Sequence, residues 1–587
     1  MKQLLTIVIL AGFLGGMFSS CQKSYESIPL GQQQTLDIAF DPLDSLGKQA
    51  MVYLLTTYQQ CFYSGHNRIG GFGQPGMYLD AASDDAIASA SGIPPIQQIS
   101  TGAYSSSQLN ADDQWSRSYT AIRNATVFIV YINRVPLAEL LPDGRPARAA
   151  YRSEARFLRA WLYFQLLKRY GGVPLLGDSI RQISDNVQLP RASFSDCVNY
   201  IVGECDNIKD SLRTAAQVNS NTYGRITRGA AMALKAEVLL YAASPLFNGG
   251  NIDASNPLTG YTSYDQGRWK LAADAAKAII DENAYKLMPN FNDVFTTQAS
   301  PVGSNTETIC WMQTGTPGTG VETDNAPVGY TSAGGKGNTS PTQNLVDAFP
   351  TDSGYAITDP AAGYNDNDPY AHRDPRLNLT VFHNGSQWLN RAVQTYNGGV
   401  DKPGGTVQQT KTSYYMRKFM GAFETVNGGN PTYSGTYHDW IYFRYAGVLL
   451  DYAEATNEFS GPSSEVYKVL YALRQRAGIL TAADNTYGVP QGMTQEAMRD
   501  FIHNERRVEM AFEEQRFWDI RRWKIAAHVY NDAPLVGLDL QLSSGGQLFY
   551  NRTPVLKTIF RDPQMYLYPI PYSEVIKNGQ MKQNPLW

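Results

Sequence analysis

Apolar residues recur at helical spacing along most of the chain. Between Pro146 and Tyr170 the positions Ala155, Leu158, Leu162 and Leu166 step by three and four residues, which puts them on one helix face. Gly171-Gly172 and then Pro174 end that helix. The same stepping predicts a helix over Asp112–Val135, stopped by Pro136. Another begins at Ser193, with Asp196 three residues on, and runs to about Leu212. Gly229–Ala243 carries Ala231, Leu234, Val238 and Tyr241 on one face, and Asp265–Glu282 follows. Late in the chain come Phe443–Glu458, Ser464–Ala477 and Thr494–Phe517. Consecutive helices form antiparallel pairs, so the expected fold class is mainly α, with tetratricopeptide-like stacked helix pairs.

Residues 297–440 break the period. They are rich in Gly, Thr, Asn, Tyr and Pro, as in Gly334–Ser340 and Asn397–Gly405. They read as a loop-rich ligand-binding subdomain with short strands such as Thr308–Met312 and Asn378–His383. Helical regions at 48–296 and 441–587 would carry it.

The start of the chain has a pattern of its own. Lys2 precedes an apolar run from Leu4 to Phe18, and Ser19 and Ser20 lead into Cys21. This is the pattern of a bacterial export signal over residues 1–20. The run is shorter than the roughly 20 residues a bilayer span needs. A cysteine directly after the cut is the lipoprotein arrangement, so Cys21 is the expected lipidation site and 21–47 a lipid-anchored tether. The alternative is a plain secreted chain with an incidental Cys21.

Without its first 20 residues the chain keeps 567 (587 − 20), and loss of Lys2 moves the formal charge from −4 to −5. No basic face for nucleic acid is implied. Tyr is the most abundant aromatic, at 37 residues. Its apolar face and polar tip suit half-wet surfaces, including those that stack on sugar rings. Cys197 and Cys205 share a helix and lie about 12 Å apart, beyond disulfide reach; no disulfides are expected.

Catalytic and metal signatures are sparse. No two of the six histidines are spaced i, i+4 as in a helical zinc site. Asn365, Asp366, Asn367, Asp368 and Asp374 carry oxygens of the kind that ligate Ca²⁺. They lack the glycine and closing glutamate of an EF-hand, so a solvated acidic loop is expected and no cofactor. Glu505 falls on the apolar stripe of Met498, Phe501, Val508 and Phe512. A glutamate there is expected to be buried and paired with arginine.

Several segments in order carry a resemblance. They are Glu154–Trp161 running on to Arg169–Pro174, Arg444–Ala455, Asn504–Glu509, Phe517–Trp523, Tyr568–Pro571, and Asn584-Pro585 with Trp587. Together they resemble the SusD/RagB outer-membrane nutrient-binding lipoproteins of Bacteroidota over about residues 21–587. The resemblance implies a SusD-like α-helical scaffold, anchored by lipid on the outer face of the outer membrane. It implies a SusC-type TonB-dependent barrel as partner, an oligosaccharide as ligand, and binding rather than catalysis. A peptide-binding lid and a glycan-cleaving lipoprotein are the alternatives. The motif residues Arg156, Arg159, Glu505, Arg506 and Trp523 are expected to be scaffold.

The resemblance carries no binding residue over, so the site is sought from chemistry. A sugar site needs aromatic platforms and planar polar groups. The loop Gly65–Asp85, with His66, Asn67, Phe72 and Asp84, offers Arg68, Tyr78 and Asp85. The middle region offers Trp311, Tyr330, Tyr370 and Trp388. Trp115 lies in a helical stripe and is assigned to the core.

Overall fold

The computed structural model describes residues 35–587 apart from 63–65, 67, 72–73, 91–93, 182–184, 186–187, 251, 298–303, 313–319, 332, 422–423, 428–429, 434–435 and 482–484. The expected export signal, Cys21, most of the expected tether, Asn67 and Phe72 lie outside the described residues.

The longer helices form a stack. They are α1 (Lys48–Cys61), α2 (Trp115–Tyr131), α3 (Ala147–Tyr170), α4 (Phe194–Ile208), α5 (Arg228–Ala243), α6 (Gly267–Asp281), α7 (Tyr445–Ser460), α8 (Ser464–Ala477) and α9 (Gln495–Glu509). Each of α1 to α5 packs on the next, α5 packs on α6, and α7 closes on α6 while carrying α8 and α9. The apolar stripes face inward: Ala155, Leu158, Leu162 and Leu166 of α3 are all buried, and so is Trp115 of α2. Gly171 ends α3 at φ 74°, where a Cβ would sit 2.3 Å from the Leu258 carbonyl oxygen. Only glycine serves both the left-handed turn and that close approach. No helix among the described residues is long and apolar enough to cross a membrane.

Strands are short and paired two by two. β1 (Thr308–Met312) runs antiparallel to β2 (Trp440–Arg444), with Trp311 opposite Ile441. β3 (Leu535–Leu542) and β4 (Leu548–Leu556) form a hairpin. Trp311, Tyr330 and Trp388 of the loop-rich region belong to the same apolar core as the helices. The expected tether is docked where it can be seen: Phe40 is fully buried against Tyr53 and Phe128.

Two expectations need correction. Asn378–His383 is not one strand: a short helix, Pro375–Thr380, precedes strand residues Val381–Phe382. Asp374 caps that helix and Pro375 takes its first position, where a missing N–H costs nothing. The long helix expected over Thr494–Phe517 stops at Glu509. Phe512 and Glu514 adopt positive φ, and both their amides donate to the carboxylate of Asp80 at 3.2 Å.

Glu505 is 2% exposed, 2.7 Å from Arg376 and 2.8 Å from Arg474. Burial alone would raise its pKa, but the two guanidiniums outweigh burial and hold it below the usual range. The four cysteines Cys61, Cys197, Cys205 and Cys310 are buried free thiols.

Candidate functional site

A sugar-stacking residue must offer an open face. Five of the residues expected to bind ligand do not. Arg68 is spanned by Asp112 and Glu514, each at 2.6 Å, and Arg169 reaches the same Asp112 at 2.9 Å. Asp85, with no exposed surface, is held by Arg507 at 2.6 Å. Tyr78 is fully buried, its ring parallel to Phe419 and its hydroxyl sharing a 2.7 Å hydrogen bond with His66 Nδ1. Tyr330 donates to the Trp388 and Arg391 carbonyls at 3.1 and 2.9 Å, beneath the Arg391 guanidinium. Trp388 donates from Nε1 to the Gly421 carbonyl. These residues are plugs and struts of the core, not platforms. The acidic loop divides in the same way: Asp374 is buried against Arg376, whereas Asp366 is 80% exposed.

The His66 environment sets a pH dependence. Burial, and after it the neighbouring His438, push the imidazole down to about 3. An unfolded histidine titrates near about 6.5. Below that value the unfolded chain takes up a proton that the folded one refuses, so the His66 contribution to stability falls as pH drops. The stability gap between wild type and His66→Gln should therefore narrow from pH 7 to pH 5 in urea denaturation. A gap that is constant over this range contradicts the assignment.

Trp311 is itself only 9% exposed, but it borders a groove. It lies on β1, and its ring meets Tyr223 at 4.8 Å between centroids, tilted by 53°. Tyr223 sits in the turn that leads into α5, whose first amides are capped by Thr227. Together they border a surface groove of about 280 Å³, walled by Val218, Tyr285, Asn305, Thr306 and Ile309. Tyr285 reaches its floor because residue 229 is glycine: a Cβ there would lie 2.1 Å from the Tyr285 hydroxyl. The walls are mainly apolar. The Trp311 Nε1 and the Tyr223 hydroxyl are both buried and meet each other; neither has a further hydrogen-bond partner among the described residues. Burial pushes the Tyr223 hydroxyl up and the Asp439 carboxylate adds to the shift, while a hydrogen bond from Trp311 opposes them. An apolar aromatic trough with a few polar atoms suits a small polar ring. Tyr223 and Tyr285 escape sequence reading because nothing local marks them as neighbours of Trp311.

Tyr370 is half-buried, stacked on His383 at 3.8 Å, and lies beside a second hollow at the β3–β4 hairpin. Among the described residues no three His, Cys, Asp or Glu side chains gather as a metal site.

Residues 294–587, which include β1 and one wall of the groove, match the family model described as the SusD family. The chain belongs to the SusD family. Residues 78–240 match a second model, described as starch-binding and associating with the outer membrane. The SusD-like protein P2 of Formosa agariphila is 23% identical over 484 residues, covering 80% of this chain and 79% of that protein. A solved SusD-like protein of Bacteroides fragilis superposes with TM-score 0.74 at 25% identity, covering 94% and 100% of the two chains. A second B. fragilis structure, described as a SusD-like carbohydrate-binding protein, gives TM-score 0.72 at 22% identity, covering 92% and 99%. The SusD motifs of this chain are scaffold. Arg156 pairs with Glu204, and Arg159 with Asp178, both at 2.7 Å. Arg506 pairs with Asp451 at 2.6 Å and Asp519 at 2.9 Å, and Trp523 Nε1 donates to Glu454.

Proposed function

We propose that this chain binds oligo- or polysaccharide in the Trp311–Tyr223 groove without cleaving it, and hands it to a SusC-type TonB-dependent barrel. Lipid on Cys21 would hold it at the outer membrane, on the cell surface. The observation that carries the reading is the Trp311–Tyr223 pair, whose polar atoms have no partner beyond each other among the described residues, beside an apolar aromatic wall. The half-buried Tyr223 face suits sugar C–H groups, and a ring entering the groove would let Trp311 Nε1 exchange its Tyr223 partner for a ring hydroxyl. Family membership and the carbohydrate-binding relative support the ligand class. A glycosidase needs two carboxyl groups about 5–10 Å apart across the scissile bond. No carboxylate lines the groove among the described residues, which supports binding over hydrolysis.

The test is an affinity-gel panel of neutral polysaccharides, with product analysis of the same incubations. Retardation by at least one member with no released oligosaccharide is the expected result; release of sugars at enzymatic rates contradicts it. In the native host, radiolabelled palmitate should enter the wild type and not Cys21→Ser.

A further inference from the structure

We propose that the hollow between the β3–β4 hairpin, the short helix Gln343–Ala348 and the loop around Asp366 is a second saccharide subsite, selective for neutral sugar rings. The inference rests on the glycan-binding reading above and adds a separate place on the molecule and a charge preference. The hollow has a volume of about 410 Å³ and is lined by Tyr364, Tyr550, Asp366, Asn551, Arg552 and Gln343, among others.

Its floor is built in advance. Tyr370 donates to the Tyr414 hydroxyl at 3.2 Å, and Tyr414, fully buried, donates to Gln343 Oε1 at 2.6 Å. Gln343, 2% exposed, donates onward to Asp347 at 2.7 Å. Asp347 receives both terminal nitrogens of Arg552, and one of these lies 4.0 Å from Asp366. A chain of hydrogen bonds anchored in the core thus fixes Arg552 at the surface. A preorganised donor of that kind loses little freedom on meeting a ligand. Tyr364 and Tyr550 stand half-buried around it, and Asn551 is exposed beside Tyr550. Two aromatic rings, a planar guanidinium and an amide are the groups that grip a pyranose by stacking and by paired hydrogen bonds to neighbouring hydroxyls.

Charge sets the preference. Arg552 already answers Asp347. Asp366 and Asp368 are exposed at the rim. A uronate or sulfated ring would meet that negative rim with the Arg552 charge already balanced by Asp347, whereas a neutral ring meets no such penalty and needs only the N–H groups that Asp347 leaves over. A polymer that reaches both the hollow and the groove gains affinity that a short oligomer does not.

The experiment compares wild type, Tyr364→Ala/Tyr550→Ala, Tyr223→Ala, and the triple variant on affinity gels. The gels contain starch, mixed-linkage glucan, mannan or galactan as neutral probes and polygalacturonate as the acidic one. Tyr364→Ala/Tyr550→Ala should bind the retarding neutral polymer about tenfold more weakly. It should keep wild-type affinity for a two- or three-ring fragment of that polymer in calorimetry, with an unchanged melting temperature. Asp366→Asn, at an exposed position, should gain retardation by polygalacturonate. Polymer affinity within twofold of wild type in the Tyr364→Ala/Tyr550→Ala variant overturns the second subsite while leaving the groove standing. So does equal binding of neutral and acidic polymers by the wild type. Absence of any retardation in the wild type overturns both.

Discussion

Replacing Arg444 with methionine should remove about 3–5 kcal/mol of stability. Arg444 has no exposed side-chain surface and lies 2.7 Å from each of Glu307, Glu509 and Glu513. Those carboxylates are shared with Arg376, Arg476 and Lys418, while Asp374 and Glu505 complete the cluster with Arg376 and Arg474. Five cations (Arg376, Lys418, Arg444, Arg474, Arg476) thus face five carboxylates (Glu307, Asp374, Glu505, Glu509, Glu513), nearly all without solvent contact. Methionine fills the volume but leaves one negative charge in excess, and an uncompensated buried charge is the expensive case. The cluster also joins the loop-rich region to α8 and α9 and ends at β2, the partner of β1, so its loss should loosen the strand that carries Trp311. Equilibrium denaturation checks the size of the effect. Arg444→Met combined with Glu513→Gln should recover part of the loss, because the excess charge goes. A single variant that melts within a degree of wild type contradicts this reading.

The second large effect is on binding. Tyr223→Ala removes the half-buried wall of the groove and should weaken the cognate oligosaccharide by about tenfold or more. Trp311→Phe keeps an aromatic ring at an interior position and deletes only the N–H. A lost hydrogen bond of about 0.5–1.5 kcal/mol corresponds to roughly 2- to 13-fold. Both variants should melt near the wild type, since Tyr223 is not fully enclosed and phenylalanine retains most of the Trp311 packing. Calorimetry with the fragment selected on the gels reads both numbers. Unchanged affinity in both variants moves the site elsewhere.

Much of the scaffold is legible from local pattern. Ser464–Ala477 is a helix with the bounds its period predicts, and Glu505 lies buried on the stripe where spacing puts it. The failures have physical causes. The break after Glu509 is set by Asp80, more than 400 residues away in sequence, whose carboxylate takes the amides of Phe512 and Glu514. Pattern along one helix cannot reveal such a partner. The Asp374-Pro375 helix start was readable, and the β-propensity of the residues after it masked the signal. The β3–β4 hairpin was also readable, from Leu538 and Leu540 alternating toward a Gly545-Gly546 turn.

The binding residues were the hardest part. An aromatic residue in a glycine-rich loop looks the same whether the loop lifts it into solvent or folds it over the core. Tyr78, Tyr330 and Trp388 are folded in, each with its polar atom satisfied by a neighbour. Trp311 is the one whose N–H meets only the Tyr223 hydroxyl, at the edge of a groove, and that distinction exists only in three dimensions.

The most direct measurement is a crystal structure of the protein soaked with the short oligosaccharide that the gel panel selects. A sugar ring against Tyr223, with a hydroxyl accepting from Trp311 Nε1, is the predicted result. Ligand density away from β1, with the Trp311–Tyr223 groove holding only solvent, would contradict it.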